Sequence, residues 1–342
     1  MANFTLGSFI KSQCAKRGLA TRVDLTGKTV LVVGANSGLG FEATKHFATM
    51  NPGRLILACR SESKGTTALE QLKSETGCTT AELWLVDLAD FDSVKAFVHK
   101  FEQDGGRLDI LLANAATIST TYGATKQSWE TCLQVNCLSL ALLAILLLPH
   151  MARTAQNHPG SSPRIVLVTS EVHHWATLDK RVTDAPNILE TLGSKDYCTP
   201  KAMGQRYFLT KLLNILFVRA LNAHLPSNIP VIVNCVNPGY CYSNIRSNLS
   251  GLQSFMDRIM ERVIALPTEV GSRQLVWACI GQEEAPEKLR GEYISLEKVD
   301  EVSDYILSPE GATVQERIWE EMLDILGKAD SRVAEVSKEY FV

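Results

Sequence analysis

The chain has 342 residues, with 34 Lys and Arg against 37 Asp and Glu, giving a formal net charge of −3 and a pI near 6.2. That length can bury a substantial core as one large α/β domain or two small ones, and the lack of a basic excess or charge block argues against a nucleic-acid surface. Nine cysteines, an odd number with no C-x-x-C pair and no metal-like cluster with histidine, argue against a disulfide scaffold or a metal site and read as reduced thiols of a cytoplasmic protein.

Residues 1–27 precede the first strand. Phe4, Leu6, Phe9 and Ile10 among Lys11, Lys16, Arg17 and Arg22 predict an amphipathic segment that docks on the domain's own surface, a membrane surface being the other place for it. The run 4–10 is too short and polar for a secretory signal. Thr29–Val33 then reads as a central strand buried on both faces, and a glycine-rich turn follows at once. A helix predicted over 41–50 puts Ala43, Phe47 and Met50 on one face. The glycines therefore lie between a strand and a helix N-terminus, where free N–H groups and the positive end of the helix dipole hold phosphate. Gly34 permits the turn, Gly38 lets a pyrophosphate approach, and Gly40 lets helix and strand pack closely. The spacing is G-x-x-x-G-x-G, distinct from the commoner G-x-G-x-x-G.

Strand and helix then alternate. Strands are predicted over 54–59, 81–86, 108–113, 164–169, 231–236 and 292–296. Helices are predicted over 62–76, 91–103, 128–151 and 201–224, the third apolar nearly all round in its second half. Its longest uncharged apolar run, 137–149, is too short for a bilayer, so no transmembrane segment is expected. Repeated βα units of this length predict a single doubly wound parallel sheet of about seven strands with helices on both faces. Helices over 309–342 are expected to cover the last strand.

Three further places carry chemistry. Arg60 follows the second strand, twenty residues after Gly40, where an acidic residue would bind the adenosine ribose of NAD and an arginine accommodates a 2′-phosphate. NADP(H) is the expected cofactor, the other reading of Arg60 being a surface residue at a strand end. Asp87, past the third strand, is placed to reach an adenine edge. Asn114, past the fourth, either holds the turn beneath the cofactor or is a left-handed loop asparagine. Ser170 ends the fifth strand, at the sheet edge that faces the ligand crevice, though a serine there is also an ordinary helix cap. Tyr207 and Lys211 share one helical face at i,i+4 spacing, a pairing that also arises by chance.

Together these motifs resemble the short-chain dehydrogenase/reductase family over about residues 26–243. V-G-A-N-S-G-L-G, with Gly34, Asn36, Ser37, Gly38, Leu39 and Gly40, matches the family's cofactor loop. Asp87-Leu88 matches its adenine motif, and A-N-A-A with Asn114 and Ala115 its N-N-A-G motif, Ala116 replacing the usual glycine. Asn136 matches the structural and proton-relay asparagine. Ser170 matches the catalytic serine, Tyr207 and Lys211 the Y-x-x-x-K pair, and Asn237-Pro238-Gly239 the turn bordering the nicotinamide. L-A-C-R-S-E-S-K-G and T-S-E-V-H-H look like the retinol-dehydrogenase and WW-domain-oxidoreductase branch, a look shared by fungal reductases of secondary metabolism.

The resemblance implies a Rossmann-type fold and an NADP(H)-dependent interconversion of carbonyl and alcohol on a lipophilic small molecule, without a metal. Tyr207 would be acid or base, Ser170 would hold the substrate oxygen, Lys211 would favour phenolate and anchor the ribose, and Asn136 would hold a relay water. A free phenol is ionised to about one part in a thousand at pH 7, so the cations must shift it by about three pK units, worth roughly 4 kcal/mol. The 37-residue step from Ser170 to Tyr207 exceeds that of simple members, so an insertion over 173–203 is expected to wall the substrate pocket. A lid is expected over 240–266, closing with Leu249, Leu252, Phe255, Met256, Ile259 and Met260, the other reading of these residues being an amphipathic helix packed on the body of the protein. A homodimer through the apolar helix and the Tyr207 helix is also implied. An isomerase or cyclase without net redox, and a non-catalytic dinucleotide sensor, are the other functions this sequence admits.

Overall fold

Five consecutive apolar or β-branched side chains, all buried, make β1 (Thr29–Val33) the centre of the sheet. A computed structural model describes residues 4–243, 245 and 260–342. Leu249, Leu252, Phe255, Met256 and Ile259, five of the expected lid residues, lie outside them.

In chain order the main elements are α1 (Leu6–Cys14), β1, α2 (Gly38–Ala48), β2 (Arg54–Cys59), α3 (Glu62–Thr76), β3 (Ala81–Leu85), α4 (Phe91–Gln103) and β4 (Ile110–Ala113). There follow α5 (Ser139–Asn157), β5 (Arg164–Val168), α6 (Pro200–His224), β6 (Ile232–Asn237), α7 (Thr268–Ile280), β7 (Tyr293–Ser295), β8 (Lys298–Val299), α8 (Pro309–Ala329) and α9 (Arg332–Tyr340). The strand order is β3-β2-β1-β4-β5-β6-β7-β8, parallel as far as β7. The sheet has eight strands rather than about seven, because β8 folds back antiparallel on β7. Its hairpin turn puts Leu296 and Glu297 at φ 56° and 57°, a conformation for which a Leu-Glu pair carries none of the usual Asn-Gly signal.

Side chains alternate across the sheet and build two cores. Leu31 and Val33 face the layer of α4, α5 and α6, whereas Val30 and Val32 face α2 and α7. The helix expected over 41–50 begins earlier, at Gly38, so the last two loop glycines are themselves its first turn. That expected over 128–151 starts only after Glu130, whose carboxylate accepts the N–H groups of Cys132 and Leu133 at 2.8 and 2.9 Å. It then passes through a π-helical turn, Gln134–Leu138, and runs beyond Pro149 to Asn157. The continuous stretch Thr131–Asn157 is thus long and apolar enough to cross a membrane, which the 137–149 run alone is not, but 89% of its most apolar window is buried within the protein. It is a core helix here.

The C-terminal helices lie elsewhere than expected. α8 packs on α6 and α9 on α5, rather than on the last strand. The apolar stripe of α8 explains this: Trp319 stacks on His224 at 5.1 Å and meets Phe217 at 6.2 Å, both on α6. α7, an element not expected from the sequence, covers β4–β6 and packs on α2.

Candidate active site

A cavity of about 880 Å³ opens at the carboxyl ends of the strands, where β1 and β4 diverge in connection. Parallel sheets bind their ligands at such a switch point. Gly34, Asn36, Ser37, Gly38 and Leu39 line it from the β1–α2 turn. Gly34 sits at φ 82° with Ala115 Cα only 2.9 Å from where a Cβ would be, and a Cβ on Gly40 would lie 2.2 Å from the Gly34 oxygen. Gly40 is therefore a packing residue behind the wall, not part of it. Nothing lies within 4 Å of the equivalent point above Gly38, which leaves that backbone open to a ligand. Asn114 donates from Nδ2 to the Gly34 carbonyl at 3.2 Å and is not among the residues of positive φ, so it is the brace of the turn.

Arg60, Asp87, Leu88, Asn114 and Ala115 continue the wall from the ends of β2, β3 and β4. Asp87 accepts the Ala89 N–H at 2.9 Å, which holds its carboxylate in the turn. At the far side Pro238 and Gly239 line the cavity. Gly239 stands at φ 81°, and its N–H donates to Asn237 Oδ1 at 3.0 Å.

Ser170, Tyr207 and Lys211 line the same cavity between these walls. Lys211 is buried, donates from Nζ to the Val168 carbonyl at 2.8 Å and lies 5.3 Å from the centre of the Tyr207 ring. Burial pushes its pKa down to about 8, partly offset by Cys137. Thr169 Oγ1 donates to the Lys211 carbonyl at 2.9 Å, which ties the end of β5 to α6. Ser170 accepts the Val172 N–H at 3.4 Å, the cap role the sequence also allowed, and its hydroxyl hydrogen is left for the cavity. Asn136 lies behind the cavity wall, in the π-helical turn. Its side chain is committed to the Thr117 N–H and C=O at 2.8 and 2.9 Å and to Thr210 at 3.2 Å. It braces the loop after β4, and Lys211 is not among the partners of its side chain.

Several contributors were not foreseen. His173 is buried, and desolvation pushes its pKa down to about 3, so it is neutral. Nδ1 donates to the Ser170 carbonyl at 2.8 Å and Nε2 accepts the Ser303 N–H at 3.3 Å, which locks the Ser170 turn. Arg206, one residue before Tyr207, is 1% exposed and forms a buried ion pair with Glu130 at 3.3 Å. It also donates to Leu192 C=O at 2.6 Å and Cys198 Sγ at 3.0 Å, fastening the 173–203 segment to α6. A charged pair at such positions is invisible to periodicity. The histidines stood in the T-S-E-V-H-H motif but carried no geometry.

Glu171 lines the same cavity and is 3% exposed; burial raises its pKa to about 7. The folded value exceeds the usual carboxylate value, so the neutral acid favours the fold, and that contribution is lost as pH rises from about 4.5 through 7. Glu171→Gln does not titrate. Its melting midpoint should gain on that of the unmodified protein between pH 5 and 8, by a stability difference on the order of 3 kcal/mol. Parallel melting profiles across that range would show that Glu171 is not held neutral.

The fold and this wall define a nicotinamide-dinucleotide-type α/β site with a Ser-Tyr-Lys set at the sheet's carboxyl edge. Residues 28–177 match the family model of short chain dehydrogenases. The chain is 35% identical over 335 residues to the short-chain dehydrogenase anuD of Penicillium roqueforti, covering 95% of this chain and 84% of that protein. It is 32% identical to the short chain dehydrogenase/reductase dmxR8 of Cryptosporiopsis, covering 92% and 95%, and 38% identical to the short chain dehydrogenase sol3 of Alternaria solani, covering 70% and 81%. An uncharacterized protein from Mycobacterium paratuberculosis shares the fold, with a TM-score of 0.62 at 22% identity over 89% of this chain and 94% of its own. The chain belongs to the short-chain dehydrogenase/reductase family, whose members are oxidoreductases using nicotinamide dinucleotides.

Proposed function

We propose that this protein is an NADP(H)-dependent carbonyl reductase or alcohol dehydrogenase acting on a lipophilic small molecule, in the setting of fungal secondary metabolism suggested by its sequence motifs. The single observation that carries this reading is the buried Lys211 ammonium 5.3 Å from the Tyr207 ring in one cavity with Ser170. The residues present fit the dinucleotide: an open backbone at Gly38, a helix N-terminus beside it, and a lysine with two further hydrogens to give. When bound, the nicotinamide supplies or accepts the hydride.

The chain's own residues do the rest. Ser170 donates to the substrate oxygen, a bond that strengthens as negative charge gathers there. Tyr207 delivers the proton in reduction and removes it in oxidation, and the nearby cation favours the phenolate. Lys211 holds the ribose, while Asn136 acts through the Thr117 loop and Thr210. Phe9, Ile118, Val135, Val172, Trp175 and Phe208 give the cavity its apolar character, which suits a lipophilic substrate. Nine reduced cysteines, eight of them buried, suit a reducing cytoplasm. Homodimerisation is part of the proposal, but α5 and α6 lie under α9 and α8 of the same chain, so a second copy would use another face. A screen of lipophilic ketones and alcohols, followed by nicotinamide absorbance with each cofactor, tests the activity.

Arg60 is exposed at the mouth of the cavity, where a 2′-phosphate would reach it. Arg60→Ala should weaken NADPH binding by about 1.5–3 kcal/mol and leave NADH nearly unchanged. Titration of both cofactors reads this directly. Equal losses for the two would make Arg60 structural.

A further inference from the structure

The N-terminal segment precedes the stretch matched by the family model, yet it reaches the substrate end of the cavity. Phe9 on α1 is 5% exposed and lines that cavity. Its ring packs against Trp175 at 5.8 Å and Tyr240 at 6.4 Å, two residues of the same wall that come from the segments after β5 and β6. α1 is fastened at both ends. Before it, the Phe4 ring stacks on His174 at 4.4 Å, and its carbonyl accepts from Trp175 Nε1 at 3.2 Å. Near its end, Gln13 is 3% exposed and donates to the carbonyls of Tyr240 and Ile264 at 2.5 and 2.7 Å, while accepting the Tyr240 N–H at 3.0 Å. Ser12 adds a hydrogen bond to Glu171 at 3.2 Å.

The same segment rests on the turn at the cofactor end of the pocket. A Cβ on Gly239 would meet Gln13 Oε1 at 3.2 Å and an Arg17 terminal nitrogen at 3.3 Å. A surface helix that served only to cover the core would not need three hydrogen bonds from one buried amide to the two sides of the 240–266 segment. Nor would its largest buried side chain face a ligand-sized cavity.

We infer that α1 is a wall of the substrate chamber, with Phe9 setting the size of ketone or alcohol accepted and Gln13 fixing Tyr240 in that wall while tying it to the Ile264 carbonyl. This rests on the carbonyl-reduction reading of the site for its choice of ligand, but the wall itself is read by binding alone. Phe9 fills the space that a second ring of the substrate would enter. Removing it enlarges the chamber beside Trp175 without touching Ser170, Tyr207 or Lys211.

The test compares acetophenone with the larger 2-acetylnaphthalene on the unmodified protein and on Phe9→Ala, Phe9→Leu and Phe9→Trp, each saturated with NADPH. Affinity is read by quenching of tryptophan fluorescence, and kcat/KM by loss of reduced-nicotinamide absorbance. The preference for the larger ketone should rise by about tenfold or more in Phe9→Ala, rise less in Phe9→Leu, and fall in Phe9→Trp. Gln13→Leu should raise KM for both ketones by a larger factor than it raises the NADPH dissociation constant, a split that mere loss of folding does not give. Phe9→Leu keeps an apolar plug, so a Phe9→Ala protein that fails to fold leaves the order of the other two to decide. Graded binding without any nicotinamide oxidation would sink the redox reading and leave the wall standing. The same ratio of affinities in every folded variant, or no binding of either ketone by any of them, overturns the inference.

Discussion

Tyr207→Phe should keep the fold and NADPH affinity and lose turnover by about 10²–10⁴-fold, the range expected when a positioned general acid is removed. The ring stays, so its packing beside Lys211 stays; only the proton donor is gone. Lys211→Met should also lose turnover but with weaker cofactor binding, because in the proposed reading its ammonium, which donates one hydrogen to the Val168 carbonyl, also holds the ribose. Packing alone cannot separate the two variants in this way. Near-normal turnover in Tyr207→Phe would remove it from proton transfer.

The second large effect is on stability. Glu130 and Arg206 are 0% and 1% exposed, and Glu130→Ala leaves the guanidinium buried without its counter-charge. It also strips the N–H groups of Cys132 and Leu133 of their acceptor. Losing one partner of such a pair costs about 3–5 kcal/mol, and a melting midpoint lower by roughly 5–10 °C is expected. Turnover should fall as well, because Arg206 fastens the 173–203 segment to α6 one residue before Tyr207. The double variant Glu130→Leu, Arg206→Met should recover much of the lost stability, since apolar replacement removes both desolvated charges. A midpoint within about 2 °C of the unmodified protein for Glu130→Ala would mean that the pair holds nothing in place.

The contrast between these two variants follows what the sequence could carry. β1, β2, α3 and α4 were legible to the residue because burial on both faces, a strand-to-helix change of period and local caps all act within a few positions. Ser61 and Gly77 close the two ends of α3 in this way. The glycine loop and the i,i+4 Tyr207 and Lys211 pair were legible for the same reason. The β7–β8 turn was not, because Leu296 and Glu297 adopt a left-handed conformation without the residues that favour it. α7 was missed because its run Leu275–Val276 and Ala278–Cys279–Ile280 is apolar on successive residues and shows no helical period. Asn136 shows the limit at the site itself: its motif was readable, but its use on Thr117 and Thr210, contacts 19 and 74 residues away, depends on the closed fold. Gln13, Phe9, His173 and Arg206 are in the same position, since each has a partner in a distant segment.

The central claim is direct hydride transfer between a nicotinamide and a substrate carbonyl, with Tyr207 moving the proton. The most direct measurement incubates the protein with a panel of lipophilic ketones and NADPH carrying deuterium on the transferring face of C4, and analyses the products by mass spectrometry. The account predicts one deuterium on the new carbinol carbon for each NADPH consumed, abolished in step with turnover by Tyr207→Phe. A product that forms without consuming NADPH, or an alcohol that carries no deuterium when both C4 faces have been tested, would contradict it.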